Sequence, residues 1–277
     1  MKKAGVLAAA ATALAVASGL VLMAASSDAA GGSLPTLTIA MTKNAITVGG
    51  AEVSGAVNIV TTVRGEKSDS PTLFLLRPGV TLSDAESGLA HIGPETPLDA
   101  VDPYGSIVYD GIATAGAPTT AQTWLQPGTY FALDNGNGHA IFTVVPSAHP
   151  ATLPAPAATV RAIDFAFRGA DTLHDGELVR FVNDGYLIHM FAFAQAKSAS
   201  AAASAEKLLL AGKAKEAGKL YGTGLTGGFA GPLSHAELQQ QVIDEPPGVY
   251  VLYCAMNAED GRDHFQLGMF RTITITK

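Results

Sequence analysis

The stretch Pro247-Gly248-Val249-Tyr250-Val251-Leu252-Tyr253-Cys254, continuing through the loop Ala255 to Asp263 into His264-Phe265-Gln266-Leu267-Gly268-Met269, decides how this chain is read. It reads as a strand, a loop and a return strand. Side chains alternate faces along a strand, so Tyr250, Leu252 and Cys254 share one face. If the first two face a core, the sole cysteine does so at the strand's end. Gly261 helps the loop turn, and the return brings His264 and Met269 to the same rim. Thiolate, imidazole and thioether are soft donors that suit copper. Such a set needs a second imidazole.

His189 is the candidate. Glu177 to Asn183 reads as a strand with Val179 and Phe181 on one face, Asn183-Asp184-Gly185 as a turn, and Ile188 to Ala194 as the returning strand. His189, Phe191 and Phe193 then share a face, and the phenylalanines make it the core face. Upstream, the half starts with Ala158 to Phe167, where Val160, Ile163, Phe165 and Phe167 are apolar, and His174-Asp175-Gly176 reads as a turn. Downstream, Ala199 to Lys219 is helical in composition, with Ala201, Ala205, Leu208, Leu209 and Gly212 in one stripe. Tyr221 to Gly231 reads as a glycine-rich loop. Helix and loop together read as a packed surface insert.

The first half has the same order of elements. Leu34 to Ile39 and Ala45 to Val48 read as edge strands, and Val53 to Val63, Thr72 to Leu76, Thr119 to Leu125, Thr129 to Leu133 and His139 to Val145 as further strands. Asn135-Gly136 marks a turn between the last two. Ser83 to Glu86 has capping-box spacing and starts a helix ending near Ala90. His91 to Gly105, with Pro94, Pro97 and Pro103, reads as loop. Pro127-Gly128-Thr129-Tyr130 matches Pro247-Gly248-Val249-Tyr250 at an offset of 120, and Tyr109-Asp110-Gly111-Ile112 resembles Tyr221 to Leu225. Many short strands with regular turns predict an all-β protein of two Greek-key β-sandwich domains, each with a short helical insert. Pro146 to Pro156 holds four prolines and separates them. The expected division is a signal peptide at 1–30, a sandwich at 31–146, a Pro-rich linker at 147–157 and a second sandwich at 158–277.

The N-terminus carries Lys2 and Lys3, then an apolar run from Ala4 to Ala25, then small residues at Ser27-Asp28-Ala29. This is the pattern of an export signal cleaved near Ala29 or Ala30. An uncleaved anchor is the alternative, since the run can span a bilayer. The expected location is periplasmic or secreted, with no membrane span after cleavage. In an oxidising compartment a lone cysteine pairs between chains, stays free or binds metal. Net charge is −7 with no basic patch, which argues against a nucleic-acid partner.

On these residues the chain resembles the cupredoxins, the plastocyanin-like blue copper family. Asn183 to His189 looks like the strand-end loop that delivers their first histidine. Pro247 to Cys254, His264 and Met269 is similar to their C-terminal ligand loop, with four residues between the last two ligands. The resemblance covers Ala158 to Lys277 with ligands and Leu34 to Val145, more weakly, without them. It implies one type 1 copper held by His189, Cys254, His264 and Met269, single-electron transfer, and a redox partner protein. Three features depart from the pattern: nine residues between Cys254 and His264, some forty inserted after the strand of His189, and Met190 after the first histidine. In the first half Asp134 stands at the place of Cys254, Thr72 or Leu73 stands near that of His189, and His139 has no partner ligands, so that half is expected to be metal-free.

His91, His149, His174 and His235 read as surface residues. A multicopper oxidase or nitrite reductase needs further histidines. The chain has seven, with no His-X-His, and Cys254 is flanked by Tyr253 and Ala255. No Gly-X-Ser-X-Gly supports a serine hydrolase. The expectation is therefore a non-enzyme. A metal-free cupredoxin-like binding or scaffold module is the alternative. Copper storage is opposed by the absence of Met-rich or His-rich tracts.

The signal pattern predicts a mature chain starting between Ser26 and Gly32. N-terminal sequencing of exported material checks this, and an intact Met1 would indicate an anchor.

Overall fold

A computed structural model describes residues 33–92, 96–134 and 138–277. The expected signal peptide, Pro94 and the Asn135-Gly136 turn lie outside the described residues. The fold is the expected pair of Greek-key β-sandwiches. No helix among the described residues is long and apolar enough to cross a membrane.

In the first half, Ala45–Gly50, Thr36–Thr42, Gly55–Arg64 and Thr119–Leu125 lie side by side in one sheet. Facing them are His139–Val144, Gly128–Leu133, Thr72–Leu76 and Gly105–Asp110. Alternation explains the packing. Along Thr36–Thr42 the residues Leu37, Ile39 and Met41 are buried and the rest are exposed. They meet Val57, Ile59, Tyr130 and Phe142 in the core.

The second half repeats this plan. Ala166–Gly169, Ala158–Ile163, Leu178–Asn183 and Leu238–Val242 stand in the order of the first sheet. Phe270–Thr276, Gly248–Tyr253, His189–Ala196 and Tyr221–Leu233 stand in the order of the second. Even the register is kept. Thr72 pairs with Leu133 and Ala192 with Tyr253, so both partners are displaced by 120. Tyr130 and Tyr250 are fully buried, and each hydroxyl donates to a carbonyl four residues back, on Gln126 and Pro246. That bond ties the Pro-Gly turn to its own strand, which explains why the Pro-Gly-X-Tyr motif recurs.

The halves share one eight-stranded sheet. Thr119–Leu125 pairs antiparallel with Leu238–Val242 through Thr123 with Gln239 and Gln122 with Gln240. A chain of amides crosses the seam: Arg180 Nε donates to Gln240, Gln240 to Gln122, and Gln122 to Asn58. In the facing layer, Ile107 and Ser234 exchange two hydrogen bonds. One core cluster runs from Phe74, Ile107 and Phe131 to Phe181, Phe191 and Phe229. The segment 147–157 is strapped down, because Ala151 O accepts from Ala56 N, and Pro154 O accepts from Arg180 and Gln240.

Several local expectations are corrected. Tyr221 to Gly231 is part of a 13-residue strand, Tyr221–Leu233, not a loop. Its glycines are there for closeness. A Cβ on Gly227 would stand 3.0 Å from the Phe193 ring, and one on Gly231 would overlap the Asp110 carboxylate. Gly105–Asp110 is a strand not assigned from the sequence, and the 3₁₀ turn Leu98–Val101 lies within the expected loop from His91 to Gly105. The helix Leu82–Leu89 is capped by Thr81 with Asp84, not by Ser83. Thr36–Thr42, expected at an edge, lies between Ala45–Gly50 and Gly55–Arg64, and the apolar stretch 158–167 forms a hairpin that turns at Asp164 and Phe165. The expected helix from 199 to 219 breaks into Ala199–Leu210 and Ala214–Gly218, with Gly212 at φ +70° between them. It buries Ala202, Ala205 and Leu209 against Val251 and Phe265, the outer face of the Gly248–Tyr253 strand.

Two predictions follow from the seam. Gly231→Ala forces apart packed groups and should cost about 1–3 kcal/mol, whereas Gly218→Ala, with open space at its Cβ, should be neutral or gain up to about 1 kcal/mol; urea midpoints of the two variants test the contrast. The second concerns Asp110, fully buried beside Gly231. Burial pushes its carboxyl up to about 7, against hydrogen bonds from Thr72 at 2.5 Å and Ser70 at 3.3 Å. The folded state therefore holds that proton more tightly than the unfolded chain, and stability falls as pH rises from about 4 to about 7. Burial pushes Glu237 and Glu245 up to about 7 as well, with the same sign. Asp110→Asn should shrink the difference in unfolding free energy between pH 5 and pH 7.5 by about 1–4 kcal/mol; an unchanged difference would refute the assignment.

Candidate metal centre

Strand alternation places Cys254 as expected. Tyr250, Leu252 and Cys254 face the inner core, while Val251 faces the helical insert. His189 opens the neighbouring strand, and Met190 N donates to Cys254 Sγ at 3.4 Å. The chain then forms the 3₁₀ turn His264–Leu267, and Gly268 closes it at φ +99°. Four backbone bonds fix the loop: His264 N to Met256 O, Phe265 N to Cys254 O, Met269 N to His264 O and Cys254 N to Met269 O.

His189, Cys254, His264 and Met269 are all fully buried. The three polar donors converge. His189 Nδ1 lies 3.1 Å from His264 Nδ1, and Cys254 Sγ lies 3.5 Å from His264 Nδ1 and 3.8 Å from His189 Nδ1. A triangle with those sides has its centre about 2.0 Å from each corner, near the bond length of a first-row metal to imidazole nitrogen and slightly short of that to sulfur. This is the group of potential metal-binding side chains found among the described residues. Met269 shares the cluster's core and its backbone bonds.

The protonation states suit donors. Burial pushes the His264 imidazole down to about 4, and the neighbouring His189 adds to this. Burial also lowers His189, opposed by Asp164. Both rings are neutral at pH 7. His189 Nε2 contacts Asp164 Oδ1 at 3.1 Å, and an N–H there leaves Nδ1 as a lone pair aimed at the cluster. Burial pushes the Cys254 thiol up to about 12. The imidazole tautomers and the thiol proton let these three atoms hydrogen-bond to one another in a dry space, and a cation bound between them would take the place of those protons.

Four further residues support the site without having been singled out from sequence. Burial of Asp164 is outweighed by hydrogen bonds from Leu187 N, His189 and Tyr186, which keep its carboxyl below the usual range. Asp99, from the first half, accepts Ile188 N at 2.6 Å and braces the strand entering His189. Phe165 sits at φ +62° with its ring edge-on to His264, centroids 5.2 Å apart. Gly185 has no room for a Cβ, which would stand 2.8 Å from His189 Nε2. The turn signal at Asp164 was the one readable clue, because a short polar residue between apolar runs favours a turn.

The register corrects the first-half correspondence. Since Thr72 matches Ala192, the place of His189 is taken by Asp69, not Thr72 or Leu73. Asp134 does match Cys254. His139 pairs with Leu133 as Phe270 pairs with Tyr253, so it matches Phe270 and no ligand. The first half has only the short segment Asp134 to Gly138 where the second has Cys254 to Met269. His91, His149, His174 and His235 are exposed, as expected.

Solved cupredoxins are among the structural neighbours of this chain. Auracyanin A, titled a blue copper protein from Chloroflexus aurantiacus, is 18% identical over 43% of this chain and 96% of its own, with a TM-score of 0.25. An azurin from Methylomonas sp. strain J is 13% identical over 43% of this chain and 96% of its own, with a TM-score of 0.25. Copper nitrite reductase from Nitrosomonas europaea is 10% identical over 87% of this chain and 94% of its own, with a TM-score of 0.23. No protein-family model and no curated protein matches the sequence. The neighbours that span both halves include nitrite reductases and multicopper oxidases, which are enzymes. That finding corrects the expectation of a non-enzyme, which had rested on the small number of histidines, the lack of His-X-His, the flanks of Cys254 and the lack of Gly-X-Ser-X-Gly.

Proposed function

We propose that this chain binds one copper ion through His189, Cys254 and His264, with Met269 as a weaker fourth donor, and passes single electrons through it. The observation that carries the reading is the convergence of two neutral imidazole Nδ1 atoms and a thiol on one dry point. Copper held by two imidazoles, a thiolate and a thioether changes oxidation state with little change of geometry. His189 is oriented by Asp164, and that contact holds the proton on the nitrogen that points away from the metal. Cys254 gives up its thiol proton on binding, and the Met190 N–H stabilises the resulting thiolate. The buried surround keeps water from the space between these donors. One-electron transfer of this kind serves carriers and copper enzymes alike, and the partner that supplies or takes the electron is a redox protein.

The reading extends to the whole chain. Two sandwich domains, 31–146 and 158–277, are joined by 147–157, and the ligand set belongs to the second. Export by residues 1–30 would deliver the chain to the periplasm or the exterior, where a lone cysteine is best kept from oxidation by a metal.

Cu(II) titration of the purified protein, followed by absorption and electron paramagnetic resonance, tests the proposal. One equivalent should bind and give an intense thiolate-to-copper band. Cys254→Ala should abolish the colour and most binding. His264→Ala and His189→Ala should weaken binding and open the site to external ligands. Asp164→Ala should weaken it by about 10–100-fold while keeping the colour. Met269→Leu should keep copper and shift the reduction potential. Less than one copper bound, or a colourless site indifferent to Cys254→Ala, would replace this reading with a metal-free binding module.

A further inference from the structure

The first half holds a cavity of about 420 Å³ at the strand ends that correspond to the His–Cys–His cluster. Its walls are apolar: Phe74, Leu98, Ile107 and Phe131 from the sheet and the 3₁₀ turn, and Leu89 from the helix above. Its polar groups are Thr72, Glu86, Asp134 and His139. These are not scattered. Asp134 occupies the position of Cys254, and Thr72 lies three residues beyond the position of His189. The first half has five residues, 134–138, where the second has the segment Cys254 to Met269.

Volume and lining suit a small organic ligand, since such sites are mostly apolar with a few placed polar groups. The charge at the opening selects its class. Glu86 and Asp134 are carboxylates, and the one basic group, His139, is half exposed and 3.8 Å from Glu86. The His139 ring is steadied by the edge of Phe131, with centroids 6.0 Å apart, and Asp134 Oδ1 accepts from Gly138 N, so both stand in set positions. The Thr72 hydroxyl is already committed to Asp110 and offers an acceptor only. Acceptors and negative charge at the mouth of an apolar cavity fit a cation carried on an apolar body.

We infer that this cavity binds an apolar primary amine, its hydrocarbon body between Phe74, Ile107 and Phe131 and its ammonium group at Glu86 and Asp134. The body fits the size of one aromatic ring with a short alkyl arm. Binding here is independent of the metal centre.

Calorimetric titration of the intact protein with 4-phenylbutylamine, and with 4-phenylbutyrate as its anionic counterpart, tests the inference. The amine should bind with a Kd at or below about 1 mM, and at least tenfold more tightly than the carboxylate. Glu86→Gln, at an exposed position, should weaken the amine about tenfold and leave the carboxylate unchanged or tighter. Ala90→Phe, at the exposed helix end beside the opening, should abolish amine binding, with an unchanged melting temperature showing that the fold is intact. Copper binding should be the same with and without amine. No amine binding, equal binding of amine and carboxylate, or binding indifferent to Ala90→Phe would overturn the inference.

Discussion

Three lone-pair donors brought face to face where no water reaches is the constraint on which the second half of this protein depends. Burying polar groups is costly unless they are paired, and these three find partners in one another, Asp164 and the Met190 N–H. His189, Cys254 and His264 are nevertheless fully buried and within 3.8 Å of one another. The surrounding structure has to hold them there. Met190 N–H points at the sulfur, four main-chain bonds tie the ligand loop to both ends of itself, and the helix Ala199–Leu210 lies over Val251 and Phe265 behind the site. The helical part of the insert, Ala199–Leu210 with Ala214–Gly218, is thus a backing plate. Thr272 Oγ1 donates to Glu206 at 2.8 Å, tying that helix to the strand after Met269.

The duplicated fold shows what that constraint changes. Both halves keep the sheet orders, the tyrosine bond to the Pro-Gly turn and an offset of 120 in register. They part company at one rim. Where the second half has the Cys254 to Met269 segment closing around three donors, the first has Asp69 and Asp134 at the matching positions, and a cavity lies there. One strand framework therefore supports two different kinds of pocket. The seam between the halves is polar on the sheet side, through Gln122 and Gln240, and apolar inside, through Phe229, Phe181 and Ile107. Asp99 crosses it to brace Ile188, so the first half contributes to the geometry of a site whose donors all lie in the second.

Much of this was legible in the sequence because it follows from local rules. Alternation placed Cys254 and His189 on core faces, and the Pro-Gly-X-Tyr repeat exposed the duplication. What was not legible depends on distant contacts. Glycines at 222, 224, 227, 228 and 231 read as loop, yet the strand they form lies against Phe193 and Asp110, which no local pattern announces. Asp164 is 25 residues from His189, and Asp99 is 89 from Ile188. The Thr81 cap lost to Ser83 because both have an acidic partner three residues on, and only the turn geometry separates them.

The Asp164–Phe165 turn shows how backbone strain and burial offset each other at this site. A phenylalanine at φ +62° costs about 1–3 kcal/mol relative to glycine. Glycine there would relax the backbone, but it would also remove the ring that stands edge-on to His264. The His264 Nε2 atom is buried with no hydrogen-bond partner, so its dryness depends on covers of this kind. Asp164 anchors the same turn, through Leu187 N and His189 Nε2. The strain is held by the bonds that orient the first imidazole, and it keeps the second one shielded. Orientation of one donor and exclusion of water from the other are thus coupled through two adjacent residues in a turn.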